Sequence, residues 1–304
     1  MPFGINNPLN PNNTGRIVRR TNKRVKKASK DTAREVRELF NQIPRQRVDA
    51  ETGIPITNSV LPDNHYFFNK GVRYEYLLDA RVLESISDRI DAILRENYLE
   101  TTGTRPPADW FMYAAVDDGS LTGVTQAVSN LSNQVENYPN TVESVTSTPA
   151  YIDRVAFIQA RVFEDMRGLT ESMRADLTGT LSRGMDAGQS PLTIARDISK
   201  RTGVGESRAR RIARTEINNA HRRSVWAEDQ DANERLGIST GMLHYSALSP
   251  TTRKTHAARH GNVYTRQEVA DWYAVDANAI NCKCGQSSVL LNENGQPTNQ
   301  KLID

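Results

Sequence analysis

Residues 151–187 read YIDRVAFIQARVFEDMRGLTESMRADLTGTLSRGMDA, the longest periodic stretch in the chain. Ile152, Val155, Val162, Met166, Leu169, Met173, Leu177, Leu181 and Met185 step by three, four or seven, the spacing of one helix face. At about 1.5 Å per residue such a helix reaches roughly 50 Å. Gly188 stops it, and Ser190-Pro191 offers an N-cap and first-turn proline to a second helix, expected to end near Gly203. A third is expected over 206–236. Beyond Gly237, residues 242–248 and 287–291 have the texture of strands. The fold class that follows is mainly α (α+β): long amphipathic helices, then a small C-terminal β-containing module.

Working toward the N-terminus, a linker is expected over 139–149 and a shorter helix over 121–138. Leu77, Leu78, Val82, Ile86, Ile90, Ile93, Leu94 and Tyr98 have the period of a buried helix face, which Gly103 and Pro106-Pro107 end. Ahead of it lie an aromatic patch (His65, Tyr66, Phe67, Phe68, Tyr74, Tyr76) and a connection bearing Gly53, Pro55 and Pro62. A basic, partly amphipathic helix is expected over 22–43, stopped by Pro44, behind an irregular Asn/Pro-rich arm covering the first fifteen residues.

The 304 residues (34.0 kDa) suffice for roughly two domains. No run approaches 18 apolar residues and the first residues lack the order of a signal peptide, so neither membrane spanning nor ordinary secretion is expected. The only cysteines, Cys282 and Cys284, are too close for an unstrained disulfide. The net charge of +3 conceals strong polarity. Residues 1–48 hold 12 Lys/Arg against 3 Asp/Glu, whereas residues 49–150 hold 6 against 15. These shifts divide the chain into a basic arm and helix (1–48), an acidic helical region with linker (49–149), a balanced module (150–290) and a polar tail (291–304).

Four constellations could carry chemistry. In the run from Arg208 to Ala220, Ala209, Ala213, Glu216 and Ala220 share a face, so Glu216 lies among apolar residues where an unpaired carboxylate is costly. It needs a partner: an arginine such as Arg253 or Arg259, a metal ion, or backbone N–H groups. Gly203-Val204-Gly205 has the form of a helix-hairpin-helix turn, whose glycines let phosphate approach N–H groups, with Arg208 and Arg211 nearby; an ordinary interhelical turn has the same form. His256 and His260, four apart, share a face if helical, and with Cys282 and Cys284 make a Cys2His2 set for a structural zinc; packed, reduced thiols are the alternative. Arg16, Arg19, Arg20, Lys23, Arg24, Lys26, Lys27 and Lys30 occur without one acid between them. Such a run is either a solvated face or a surface for a polyanion, nucleic acid first, with the acidic 49–150 region as an internal alternative.

In order and spacing, Ala213-Arg214-Thr215-Glu216-Ile217-Asn218, then Arg253, His256 and Gly261, then Asn281-Cys282-Lys283-Cys284 resemble the signature of the phage head-morphogenesis family, the minor capsid proteins typified by the F protein of phage Mu. The resemblance covers about residues 150–290. It departs at two places: Leu248-Ser249-Pro250-Thr251-Thr252 lacks an Asp usual before the Arg-x-x-His segment, and Ala279-Ile280 replaces a usual His-Pro. If that histidine ligates a metal in relatives, His260 is the residue here to compensate.

The resemblance implies a structural, non-enzymatic minor head protein of the virion, at the portal or inner head and made in the host cytoplasm. Its partners would be portal, major capsid or scaffold proteins and packaged double-stranded DNA, and its work head assembly and genome packaging or ejection. The residues alone leave two rivals: a metal-dependent nuclease or hydrolase using the His/Cys set with Glu216, and a stand-alone DNA-binding module on the Gly203–Gly205 turn and basic arm.

Overall fold

The computed structural model describes residues 9–56, 71–77 and 79–298. The chain is mainly helical with a small antiparallel sheet near its C-terminus. His65, Tyr66, Phe67, Phe68, Pro62, Leu78, residues 1–8 of the arm and 299–304 of the tail lie outside the described residues. Two units are built from interleaved segments, Met1–Lys23, Ala108–Glu164 and Arg210–Asp304 against Arg24–Pro107 and Asp165–Ala209, and they cut across the charge-based boundaries.

Three long helices carry the architecture: α1 (Gly15–Asn41), α5 (Pro149–Asp186) and α6 (Pro191–Leu236). Helix α5 matches the expected 151–187, although Ile152, at its N-terminal end, is exposed. Gly188 ends the turn after it with φ +63, and Ser190 caps α6 by accepting the Thr193 N–H at 3.2 Å. The expected break at Gly203-Val204-Gly205 does not occur, so the hairpin turn for phosphate is not formed. Ile194, Ile198, Thr202, Gly205, Ala209 and Ala213 form one buried stripe straight through the glycines. A Cβ on Gly205 would lie 2.4 Å from Met173 Cε, so this glycine serves the close approach of α5 and α6.

The unit containing Arg24–Pro107 holds two short strands that the sequence pattern does not announce. β1 (Arg45–Asp49) pairs antiparallel with β2 (Val72–Tyr76). Tyr74 N–H donates to Gly188 O at 3.0 Å and the Tyr76 hydroxyl to Gln189 O at 2.8 Å, tying the ribbon to the α5–α6 turn. α2 (Ala80–Leu94) buries Ile86, Ile90 and Leu94, and one π-helical turn, Arg95–Leu99, ends it at Glu100 with φ 54.

In the other unit, the arm is not loose over its described part. Asn12 and Thr14 are buried, and α1 begins at Gly15, seven residues before the expected start. α3 (Phe111–Ser132) begins ten residues before its expected start, and the expected linker contains a short helix, α4 (Val142–Thr146), with a Thr141–Ser144 capping box. α3 packs backbone to backbone on α6: a Cβ on Gly123 would meet His221 O at 2.4 Å. The sheet has the order β4-β3-β5, with β3 (Thr240–Tyr245) central, β4 (Val263–Tyr264) and β5 (Gly285–Leu290). α3 and the turn after it cover the outer edge of β5, Asn130 Nδ2 donating to Ser288 O at 2.6 Å and Leu290 N–H to Gln134 Oε1 at 3.1 Å. Two further helices, α7 (Lys254–Ala257) and α8 (Arg266–Ala274), complete the unit.

Candidate metal centre

The chain between α8 and β5 must turn back sharply, and Asp276, Ala277 and Asn281 all take positive φ, between 53 and 56. Such a loop keeps its shape only if its surroundings over-determine it. Arg253 grips it from the start of α7: Nη1 donates to Ala277 O at 3.0 Å, and Nη2 to Asn278 O at 2.9 Å and Ile280 O at 3.1 Å. From one face of α6, Arg214 Nη1 donates to Asn281 Oδ1 at 2.9 Å, while Thr215 Oγ1 accepts the Asn281 N–H at 3.0 Å. One turn on, Asn218 Nδ2 donates to Cys282 O, and its Oδ1 accepts from the Thr14 hydroxyl at 2.6 Å. The polar signature residues of α6 other than Glu216, together with Arg253, thus hold the segment that delivers the cysteines.

What is delivered is a buried cluster of His256, Cys282 and Cys284, whose donor atoms all lie within 4.8 Å of one another. His256 comes from α7, and the thiols, two residues apart in extended chain entering β5, face the same side. His256 Nδ1 is 3.4 Å from Cys284 Sγ and 3.5 Å from Cys282 Sγ. An ion with tetrahedral bonds of about 2.3 Å to sulfur and about 2.0 Å to nitrogen holds N and S about 3.5 Å apart. Both nitrogen–sulfur distances match that spacing.

The electrostatics favour an anionic sulfur. The Cys284 thiol and its backbone N–H, at 3.3 Å, both point to Cys282 Sγ; with His256 and Arg222 they hold the Cys282 thiol below its usual range despite burial. The same contact, with burial, pushes Cys284 up. Tyr273 Oη lies 3.7 Å from Cys282 Sγ, and the buried Arg222 guanidinium lies 4.2 Å from the Tyr273 ring. The three Arg222 nitrogens have no hydrogen-bond partner among the described residues. A buried cation is costly unless negative charge stands near it, which the Cys282 sulfur provides. The sequence held a signal for Arg222: it falls on the buried stripe of α6 with Asn218 and Val225, at four- and three-residue steps.

His260 does not join the cluster. α7 ends at Ala257, so His256 and His260 share no helix face; His260 is exposed, its Nδ1 accepting the Ser246 N–H at 3.0 Å. Glu216 is paired, but with neither Arg253 nor Arg259: Arg161 of α5 donates through Nε at 3.0 Å and through Nη2. Nothing in the sequence spacing could have singled out Arg161, because the pairing depends on how α5 crosses α6. Of the residues read for nucleic acid, Gly203 and Gly205 lie inside α6, and Arg208, exposed, donates to Ser172 Oγ at 3.1 Å. Arg211 is exposed on α6, and the eight cations from Arg16 to Lys30 are exposed along α1.

A cavity of about 140 Å³ opens against the cluster, with His256, Cys282 and Cys284 on its wall beside Arg214, Arg253 and Lys283. No Asp or Glu lines it.

A family model described as Phage Mu protein F like protein matches residues 175–287. No curated protein and no solved structure matches the chain. The matched segment runs from the second half of α5 into β5 and contains all three signature elements together with the His/Cys/Cys cluster they support. Over residues 175–287 the chain is therefore similar to the Phage Mu protein F like family.

Proposed function

We propose that this chain is a structural minor head protein of a tailed phage. It is built into the virion beside the portal or inner capsid and acts in head assembly and in packaging or ejection of the genome. In this reading, residues 150–290 form its family module, and a structural zinc on His256, Cys282 and Cys284 clamps that module. The observation that carries the reading is the use of the signature residues: Arg214, Thr215, Asn218 and Arg253 are spent on holding one loop and its two cysteines. Glu216, the base that a hydrolase would need, is engaged by Arg161. This favours scaffold over catalyst. The exposed cations of α1 are the surface for DNA in this reading, and the acidic helical region and the tail are left for protein partners.

Two measurements test it. Particles assembled with a tagged copy should retain the chain together with the portal protein after purification, and its absence from heads at every assembly stage would overturn the head assignment. Metal analysis of the purified full chain should give one zinc per chain, with a chelator lowering the melting temperature. A metal-free protein indifferent to chelator would remove the zinc from the reading.

A further inference from the structure

The proposed clamp supplies only three protein ligands. Among the described residues the cluster comprises His256, Cys282 and Cys284, and the nearest sequence candidate for a fourth, His260, is turned away onto the Ser246 backbone. A structural zinc ordinarily closes its tetrahedron with a fourth side chain, whereas a site with three keeps an exchangeable position. Here the ligands themselves form part of a cavity wall, which leaves space beside them for an exchangeable ligand.

The cavity has a definite chemical character. Arg214, Arg253 and Lys283 stand on its wall with the hydroxyls of Ser249, Thr251 and Thr252, and no carboxylate does. Arg214 is half-buried, and burial depresses its pKa; its hydrogen bond goes to the neutral Asn281 side chain. Lys283, between the two cysteines, is exposed. Two thiolates and a neutral imidazole cancel a divalent charge. An anion in the fourth position then sits under a wall that is net positive, with hydroxyl donors at hand and no negative group to repel it.

We infer that the His256/Cys282/Cys284 centre is an open metal site whose fourth position takes a phosphate-class oxyanion from the Arg214/Arg253/Lys283 cavity, displacing a water. The site would sense or anchor a phosphate group, whether free or in a nucleic-acid backbone. This rests on the metal reading above, and the experiment separates the two.

Full-length protein is loaded with Co²⁺, whose visible absorption reports coordination by sulfur and the exchange of a fourth ligand. Inorganic phosphate and a short double-stranded DNA are then titrated separately. The expected result is one Co²⁺ per chain with thiolate charge-transfer bands, and a saturable change in the ligand-field bands on adding phosphate. Lys283→Gln, at an exposed residue, should weaken the phosphate response about three- to tenfold while leaving Co²⁺ binding intact. A response to phosphate alone identifies a free anion as the ligand, and one shared by the oligonucleotide identifies the backbone; either supports the inference. Spectra unmoved by both would overturn it and leave the closed structural metal standing. Failure to bind Co²⁺ at all would overturn both.

Discussion

Asn218 is the residue on which the arm, helix α6 and the cysteine loop meet, accepting from Thr14 and donating to Cys282 O. Asn218→Ala removes both bonds from a buried position, which should cost about 1–3 kcal/mol in denaturant unfolding. By loosening Cys282 it should also weaken metal binding about 10- to 100-fold, measured by competition with a chromophoric chelator. His221, three residues on, gives a pH prediction. It is fully buried against Gln126 Oε1 at 2.9 Å, and burial, with Arg222 beside it, pulls its pKa from 6.5 to about 3. The folded state keeps it neutral while the unfolded state takes up a proton below about pH 6.5. This group's contribution is therefore complete above that pH and is lost as pH falls toward 3, at up to about 1.4 kcal/mol per pH unit. His221→Gln should cost stability at pH 8 by denaturant melts, and its gap to the parent should narrow through this acid window. At this scale the sequence disclosed needs better than partners. The position of Glu216 on an apolar face demanded a counter-charge, but which arginine supplies it depends on a helix crossing that no spacing encodes. Similarly, two histidines four apart imply a shared face only where a helix spans both, and α7 stops one residue after the first.

Among the elements, the glycines show why the long helices are legible in the sequence and the continuity of α6 is not. The apolar stripe of α5 marks its length almost to the residue, and the Gly188 and Ser190-Pro191 signals mark the turn after it. Gly203-Val204-Gly205 sends a local signal for a break, but the buried stripe continues through it, and burial outweighs a penalty of about 1 kcal/mol per helical glycine. The two kinds of glycine should respond oppositely to the same change. Gly203 has nothing within 4 Å of where a Cβ would stand, so Gly203→Ala should stabilise the protein by about 0.5–1 kcal/mol. Gly123 faces the His221 carbonyl at 2.4 Å, so Gly123→Ala must force α3 from α6 and should cost about 1–3 kcal/mol. Thermal melts of the two variants beside the parent check both signs. The ribbon β1–β2 leaves little trace in the sequence because its five-residue strands show no clean alternation of burial.

For the whole molecule, the polarised charge is legible at once, and the interleaving of the two units is not. α1, α5 and α6 each contribute to both, so composition along the chain cannot mark where one unit ends. The charge has a definite geometry on α1. Arg16, Arg19, Lys23, Lys26 and Lys30 follow a three-four-three-four spacing along one exposed stripe, roughly 21 Å long at 1.5 Å per residue. The neighbouring Arg20, Arg24 and Lys27 are paired with Asp118, Glu100 and Asp31, while those five make no ion pair among the described residues. The chain thus neutralises part of its basic run internally and leaves a single cationic stripe outward. If that stripe meets duplex DNA, binding by the full chain should weaken steeply with salt. Replacing the five by glutamine should then reduce the log–log salt slope by up to about 4–5, near 0.9 for each phosphate no longer neutralised. The replacements lie on the solvent side of an amphipathic helix, so melting should change little and a flattened slope would report DNA binding and not unfolding. A slope equal to the parent's would take α1 out of the DNA interface and turn its stripe toward an acidic protein surface, with the head assignment untouched.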